Sequence, residues 1–283
     1  MLLFGRFIKC SDMPAKKRLL FVNQELAPYM PSSPMASLAK ETVLAIHGKS
    51  AEVRTFMPNF GAINERRNQL HEVIRLSGAN IPINDNDHPL ILKVASLPPA
   101  RIQVYFIDND DFFQKEDSDI DAIGSNRADN DERAIFYARG TAETVRKLKW
   151  EPNIIQSSGW MTALTPLYMR KLAKECPEFT DTRLVYAPDA STIQAPLDPE
   201  ILRKLAEDGV IEADDPRFAG READTDLLHR LAIEHSDALV CLAPINPELI
   251  ELARERQIPV ITAEELGEGK ERIEKLKEFY LSL

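Results

Sequence analysis

Cysteine is scarce in this 283-residue chain: Cys10, Cys176 and Cys241 lie far apart and without metal-ligand spacing. That argues against a disulfide-framed secreted fold and reads as reduced thiols, small apolar residues in or near the core of a cytoplasmic protein. Long hydrophobic runs are missing too. None approaches the roughly 18 residues of a membrane-crossing helix, so no membrane partner is expected. Positive charge is in deficit, with 45 acidic against 35 basic residues and a formal net charge of -10. Nucleic acid and anionic membranes repel such a surface, which argues against both as the main partner. The five histidines (His47, His71, His88, His229 and His235) share no ligand spacing, so no metal is expected and none is assigned catalysis. No internal repeat is visible. The opening MLLFGRFIKCSDMPAKKR is basic and partly apolar, but Gly5 and Arg6 break its apolar run. No signal peptide is expected there, and a second start at Met13 would leave the first twelve residues as an extension.

What is present is a foldable chain in which strand and helix signals alternate. Hydrophobic residues make up 44%, enough for a sizeable core. Residues 18–23 read as a buried strand, and 36–47 as a helix carrying Leu38, Val43 and Ile46, with Gly48 as its stop. AEVRTFMP reads as the second strand. Between 69 and 108, three β segments joined by polar turns read as a small antiparallel insertion. Residues 110–130 are acidic and poor in apolar side chains. They read as an exposed, solvated loop, without the glycine and terminal glutamate of a calcium loop. Asp129 and Glu132 form a capping-box-like start to a helix with Ile135, Ala138, Ala142, Val145 and Leu148. NIIQSS, TRLVYA, DALVCL and IPVITA are further strands. WMTALTPLYMRKLAKE reads as a helix despite Pro166, another helix opens at Asn246-Pro247-Glu248, and 268–283 reads as a charged amphipathic helix.

This alternation predicts an α/β fold: a Rossmann-like, doubly wound, mainly parallel sheet over 17–283, after an N-terminal extension over 1–16. Ligands of such sheets bind beyond the carboxyl ends of the strands. The turns after Asn23, Gln156, Ala187 and Leu242 are therefore the places for chemistry. The first of them lies within LLFVNQELAPYMPSSPMASLAKE, residues 19–41. A glycine-rich phosphate loop is expected at such a turn, and Pro31, Ser32, Ser33 and Pro34 stand there instead.

Five ordered stretches resemble the starch-synthase-type catalytic domain of bacterial glycogen and starch synthases, over about residues 17–250. They are LLFVNQELAPY, AEVRTFMPNFGAI, DNDERAIFYARGTAETVRKLKWEPNII, GWMTALTPLYMRK and HSDALVCLAP. The resemblance implies one half of a GT-B fold. It also implies metal-free and cofactor-free retaining glucosyl transfer from a nucleotide-linked glucose to an α-1,4-glucan. At the family's sites this sequence departs from the pattern. By direct register Pro31 stands at a lysine, Ser33 and Pro34 at the two phosphate-loop glycines, Ser37 at an aspartate, and Ser32 keeps a hydroxyl at a threonine. Ser158, Gly159, Trp160 and Met161 stand at a His-Asp-Trp-His turn, and Ala187, Pro188, Asp189 and Ala190 at a Thr-Ile-His-Asn turn. Proline has no amide to donate and a fixed φ, so it is the wrong residue type for a phosphate cradle.

The candidate binding residues are then Glu25, Ser32, Ser33, Trp160 and Asp189, with none assigned catalysis. Trp160 either stacks on a sugar or packs in the core. Glu25 either contacts a ligand or satisfies backbone donors. The resemblance also places the second GT-B domain beyond this chain's end, which leaves half of the cleft missing. The expected function is a glycogen-synthase-like binding or regulatory pseudoenzyme. Its ligand would be a nucleotide sugar or glucan, and a protein partner or second copy would sit on the open cleft face. The alternatives are the catalytic half of a split transferase, or different chemistry in the crevice using Asp189, Glu25 and the serines.

Overall fold

The computed structural model describes residues 16–30, 33–114 and 121–283. All but Lys16 of the expected extension over 1–16, together with Pro31 and Ser32, lies outside the described residues, and Cys10 with it. The chain runs β1 (Lys17–Asn23), α1 (Pro34–Ile46), β2 (Ala51–Pro58), α2 (Glu65–Asn68), β3 (His71–Glu72), β4 (Ala79–Ile83), β5 (Asn86–Leu97) and β6 (Ile102–Asp108). It continues with α3 (Asn130–Leu148), β7 (Ile154–Ser158), α4 (Thr165–Glu175), β8 (Arg183–Ala187), α5 (Ile201–Glu207), α6 (Thr225–Glu234) and β9 (Ala238–Val240). The last elements are α7 (Pro247–Glu255), β10 (Val260–Ile261), α8 (Ala263–Leu266) and α9 (Gly269–Ser282).

The strands are ordered β10-β9-β8-β7-β1-β2-β6-β5-β3, with β4 paired to β5. From β10 to β6 every pairing is parallel. Right-handed crossovers from β1 to β2 and from β7 to β8 run in opposite directions along the sheet, so their helices cover opposite faces. One face carries α1 packed on β2 and α9, and the other carries α3, α4 and α6 in contact. Buried on both sides, the central strands are apolar runs: Leu19 to Val22 in β1 and Val104 to Ile107 in β6 are all at most 5% exposed. Each such side chain contributes roughly 1.5–3 kcal/mol by leaving water. The reversal falls between β1 and β7, and it opens a crevice at their carboxyl ends.

Four local expectations are corrected. The insertion over 69–108 is smaller than expected, because β6 pairs in parallel with β2 and belongs to the main sheet. Its residues are buried on both faces except Gln103, a pattern that suits an inner strand rather than one face of a hairpin. Only β3, β4 and β5 form the antiparallel addition. The loop over 110–130 is not simply solvated. Phe112 and Phe113 are each 3% exposed and pack on Phe136, 5.2 and 5.9 Å between centroids. Asp129 makes no side-chain cap to α3, because its carboxylate accepts from Arg127 Nε at 2.8 Å instead. Finally, Trp160–Thr162 is a separate 3-10 turn, and Pro166, lacking an N–H to donate, sits in the first turn of α4 rather than inside a longer helix.

The C-terminal helix α9 is tied to the centre of the sheet. Its Tyr280 ring meets Phe21 edge-on at 5.9 Å, and its hydroxyl donates to Gln156 Oε1. The Lys17 ammonium donates to the carbonyls of Tyr280 and Leu281, at 3.2 and 3.1 Å, where the helix dipole favours a cation. No described helix is long and apolar enough to cross a membrane.

Candidate functional site

A cavity of about 320 Å³ occupies the crevice, near the lower end of the ~300–1,000 Å³ range typical of ligand sites. Asn23 and Glu25 come from the end of β1, Ser158 and Gly159 from the end of β7, and Asp189 and Ser191 from the turn after β8. Met35 and Leu38 of α1 and Leu242 after β9 close it with apolar surface. The strand ends that the alternation marked for chemistry do converge here.

Ser33 is the N-cap of α1. Its Oγ accepts the Ala36 N–H at 2.9 Å and donates to Glu25 Oε2 at 2.6 Å. Thus the helix N-terminus, an anion-favouring position, faces a hydroxyl that is itself held by a carboxylate of this chain. Across the cavity Asp189 accepts from Ser191 Oγ, at 2.8 Å to each oxygen. Burial, helped by the charge of Glu25, pushes its carboxyl up to about 7 against the pull of the Ser191 bonds. No lysine, arginine or histidine lines the cavity among the described residues.

The site candidates divide accordingly. Glu25, Ser33 and Asp189 come together, while Ser32 lies outside the described residues. Trp160 does not join them: it is 0% exposed and does not line the cavity, so it offers no ring face to a sugar. The 3-10 turn aims it into the core, and its indole N–H finds no partner among the described residues. Asn23 and the lid residues Met35 and Leu38 were missed, because strand-end and helix-face residues carry no local mark of facing a cavity. His229 is buried beside Tyr186, whose hydroxyl meets its Nδ1 at 2.6 Å. Burial pushes the imidazole down to about 4, so it stays neutral. No group of three His, Cys, Asp or Glu among the described residues could hold a metal ion.

Gly159 shapes the floor. Its φ is +88°, and a Cβ there would lie 2.9 Å from Gln24 Oε1 and 3.1 Å from Gln24 Cβ. Gln24 Oε1 also accepts the Met161 N–H at 3.1 Å, so it cannot retreat without loss. Gly159→Ala should lower unfolding stability by about 3 kcal/mol in urea titration, combining backbone strain with a clash. Gly209→Ala is the control, with φ +66° but open space around it, and should lose about 1 kcal/mol. Equal losses would show that the contact with Gln24 contributes nothing.

Residues 18–244 match the family described as the starch synthase catalytic domain. The glycogen synthase of Chlorobium luteolum is 28% identical over 234 residues, covering 82% of this chain and 47% of that one. The glycogen synthase of Chlorobium limicola is 30% identical over 223 residues, covering 78% and 45%. The chain thus spans about half the length of the curated relatives it matches. Among solved structures, the catalytic domain of starch synthase IV from Arabidopsis thaliana, bound to ADP and acarbose, superposes with a TM-score of 0.68. It shares 14% identity, covering 88% of this chain and 52% of that one, a likeness of fold. The ordered motifs, the GT-B type of sheet and the family match together establish that this chain belongs to the starch synthase catalytic domain family.

Proposed function

We propose that this chain is a ligand-binding or regulatory member of the glycogen and starch synthase family, and that it does not itself transfer glucose from a sugar nucleotide. The observation that carries this reading is the sign of charge in the crevice. A nucleotide-linked sugar brings a diphosphate, and a diphosphate site needs backbone amides and cations. Here the first turn of α1 contains Pro34, which has no amide, and the Ser33 hydroxyl is held by Glu25. Glu25 and Asp189 line the cavity, and no described cationic side chain does. Bringing a diphosphate beside two carboxylates, the buried Glu25 and the half-buried Asp189, would be repulsive. A cytoplasmic location belongs to the same reading. A protein partner on the cleft face is supported less, because the exposed large apolar side chains among the described residues are Ile74 and Leu281, neither at these turns.

The test is calorimetric titration with ADP-glucose and UDP-glucose, alongside incorporation of labelled glucose into maltooligosaccharide. Neither nucleotide sugar should give saturable heat at millimolar concentration, and no label should be incorporated. Saturable binding of either one would overturn the reading.

A further inference from the structure

Asn23, Glu25 and Asp189, which line the cavity, keep acceptor capacity that the described side-chain donors do not fill. Asn23, 2% exposed, commits its Nδ2 to Thr55 Oγ1 at 2.7 Å, and its Oδ1 accepts no hydrogen bond from a described residue. Glu25, 8% exposed, is bonded through Oε2, and its Oε1 likewise has no described partner. Asp189 receives the Ser191 hydroxyl and backbone N–H groups of its own turn, and no cationic side chain. The donors beside them are already committed. Ser33 donates to Glu25, Ser191 to Asp189, and Gln156 Nε2 to Ser158 Oγ at 3.0 Å. The hydroxyls of Thr42 and Ser158 remain, and each can act either way.

We propose that the crevice binds a small primary ammonium ligand with a compact apolar body, its –NH₃⁺ held among Asn23 Oδ1, Glu25 and Asp189 and its body against Met35, Leu38 and Leu242. An ammonium carries three donors and no acceptor, the complement of this acceptor set. It also supplies the positive charge that the two carboxylates lining the cavity lack. A neutral polyol would supply donors without that charge, and a phosphate would add a third negative group. The apolar wall and the small volume favour a compact hydrocarbon body over an extended chain of sugars. This inference rests on the reading that the crevice is not a diphosphate site.

Cyclohexylamine, its neutral isostere cyclohexanol, and ADP-glucose are titrated separately by calorimetry against the full chain at pH 7.5. The amine should bind about tenfold more tightly than the alcohol, and Asp189→Asn and Glu25→Gln should each remove about that factor. Both variants keep side-chain shape, and far-ultraviolet circular dichroism confirms that each is folded. Equal affinity of amine and alcohol, or an amine affinity unchanged in both variants, would overturn the inference. Silence of the amine with silence of ADP-glucose overturns the inference alone, whereas ADP-glucose binding that cyclohexylamine displaces overturns the reading of the crevice as well.

Discussion

Arg133→Met should reduce the unfolding free energy by about 4 kcal/mol, the largest single-residue effect expected here. Arg133 is 1% exposed and makes no ion pair with a described carboxylate. Its guanidinium instead donates Nε to Phe112 O at 2.8 Å, Nη1 to Gly124 O at 3.0 Å and Asn130 Oδ1 at 2.6 Å, and Nη2 to Ile123 O at 2.8 Å. Burial and the nearby charge of Arg127 push the guanidinium below its ordinary range. One planar fork thus gathers the two described ends of the loop that enters α3. Methionine fills similar volume but leaves the Phe112 and Ile123 carbonyls without a described donor, each costing roughly 1–3 kcal/mol, while Gly124 O still accepts the Arg127 N–H at 3.1 Å; removing a buried charge offsets part of the loss. Arg133→Lys should recover little, because a single ammonium cannot span carbonyls arranged around a fork. Urea denaturation of both variants checks this. A loss of under about 1 kcal/mol for Arg133→Met would show that the clamp is dispensable.

The second large effect has the opposite sign. Asp189→Asn should stabilise the protein at pH 8 by about 2 kcal/mol, with the gain vanishing toward pH 4. The carboxyl is moved from its ordinary 3.8 to about 7, chiefly by burial. Below 3.8 both folded and unfolded forms hold the proton, so the residue contributes nothing to pH dependence. As pH rises toward 7 the unfolded chain releases the proton while the folded chain keeps it, and the folded state loses relative stability. A shift of that size would carry ~4 kcal/mol at 1.36 kcal/mol per pH unit. Partial solvation of the side chain and the Ser191 bonds reduce this to about half. Thermal unfolding of wild type and variant across pH 4 to 8 reads the difference. Parallel curves would show that the Asp189 carboxyl is not desolvated.

The motifs that carried the resemblance divide in an instructive way. DNDER is held in contacts within the chain. Asp131 and Glu132 take the Lys204 ammonium at 2.6 and 3.0 Å, Asp129 takes Arg127, and Arg133 takes the loop carbonyls. Trp160, which the resemblance marked as a candidate, is wholly inside. The residues left at the cavity are the carboxylates and small side chains, whose types alone did not distinguish ligand contact from backbone satisfaction. Glu25 shows the limit: its bond to Ser33 Oγ at 2.6 Å makes it part of a helix cap and part of a cavity wall at once.

The sequence by itself determined the alternation of elements, the parallel character of the sheet, the proline-punctuated turn in place of a glycine loop, and the family. These follow from local periodicity, cap residues and ordered motifs, which act within one or two turns of chain. Only the tertiary structure decided that β6 belongs to the main sheet, that Phe112 and Phe113 are inside, and that Trp160 is closed off. It alone brought Glu25 and Asp189 into one cavity beneath Met35, Leu38 and Leu242. The physical reason is strand order. β7 lies between β1 and β8, so residues far apart in sequence become neighbours at the strand ends. Burial and charge at that meeting point depend on how the strands pack, which no short window of sequence contains.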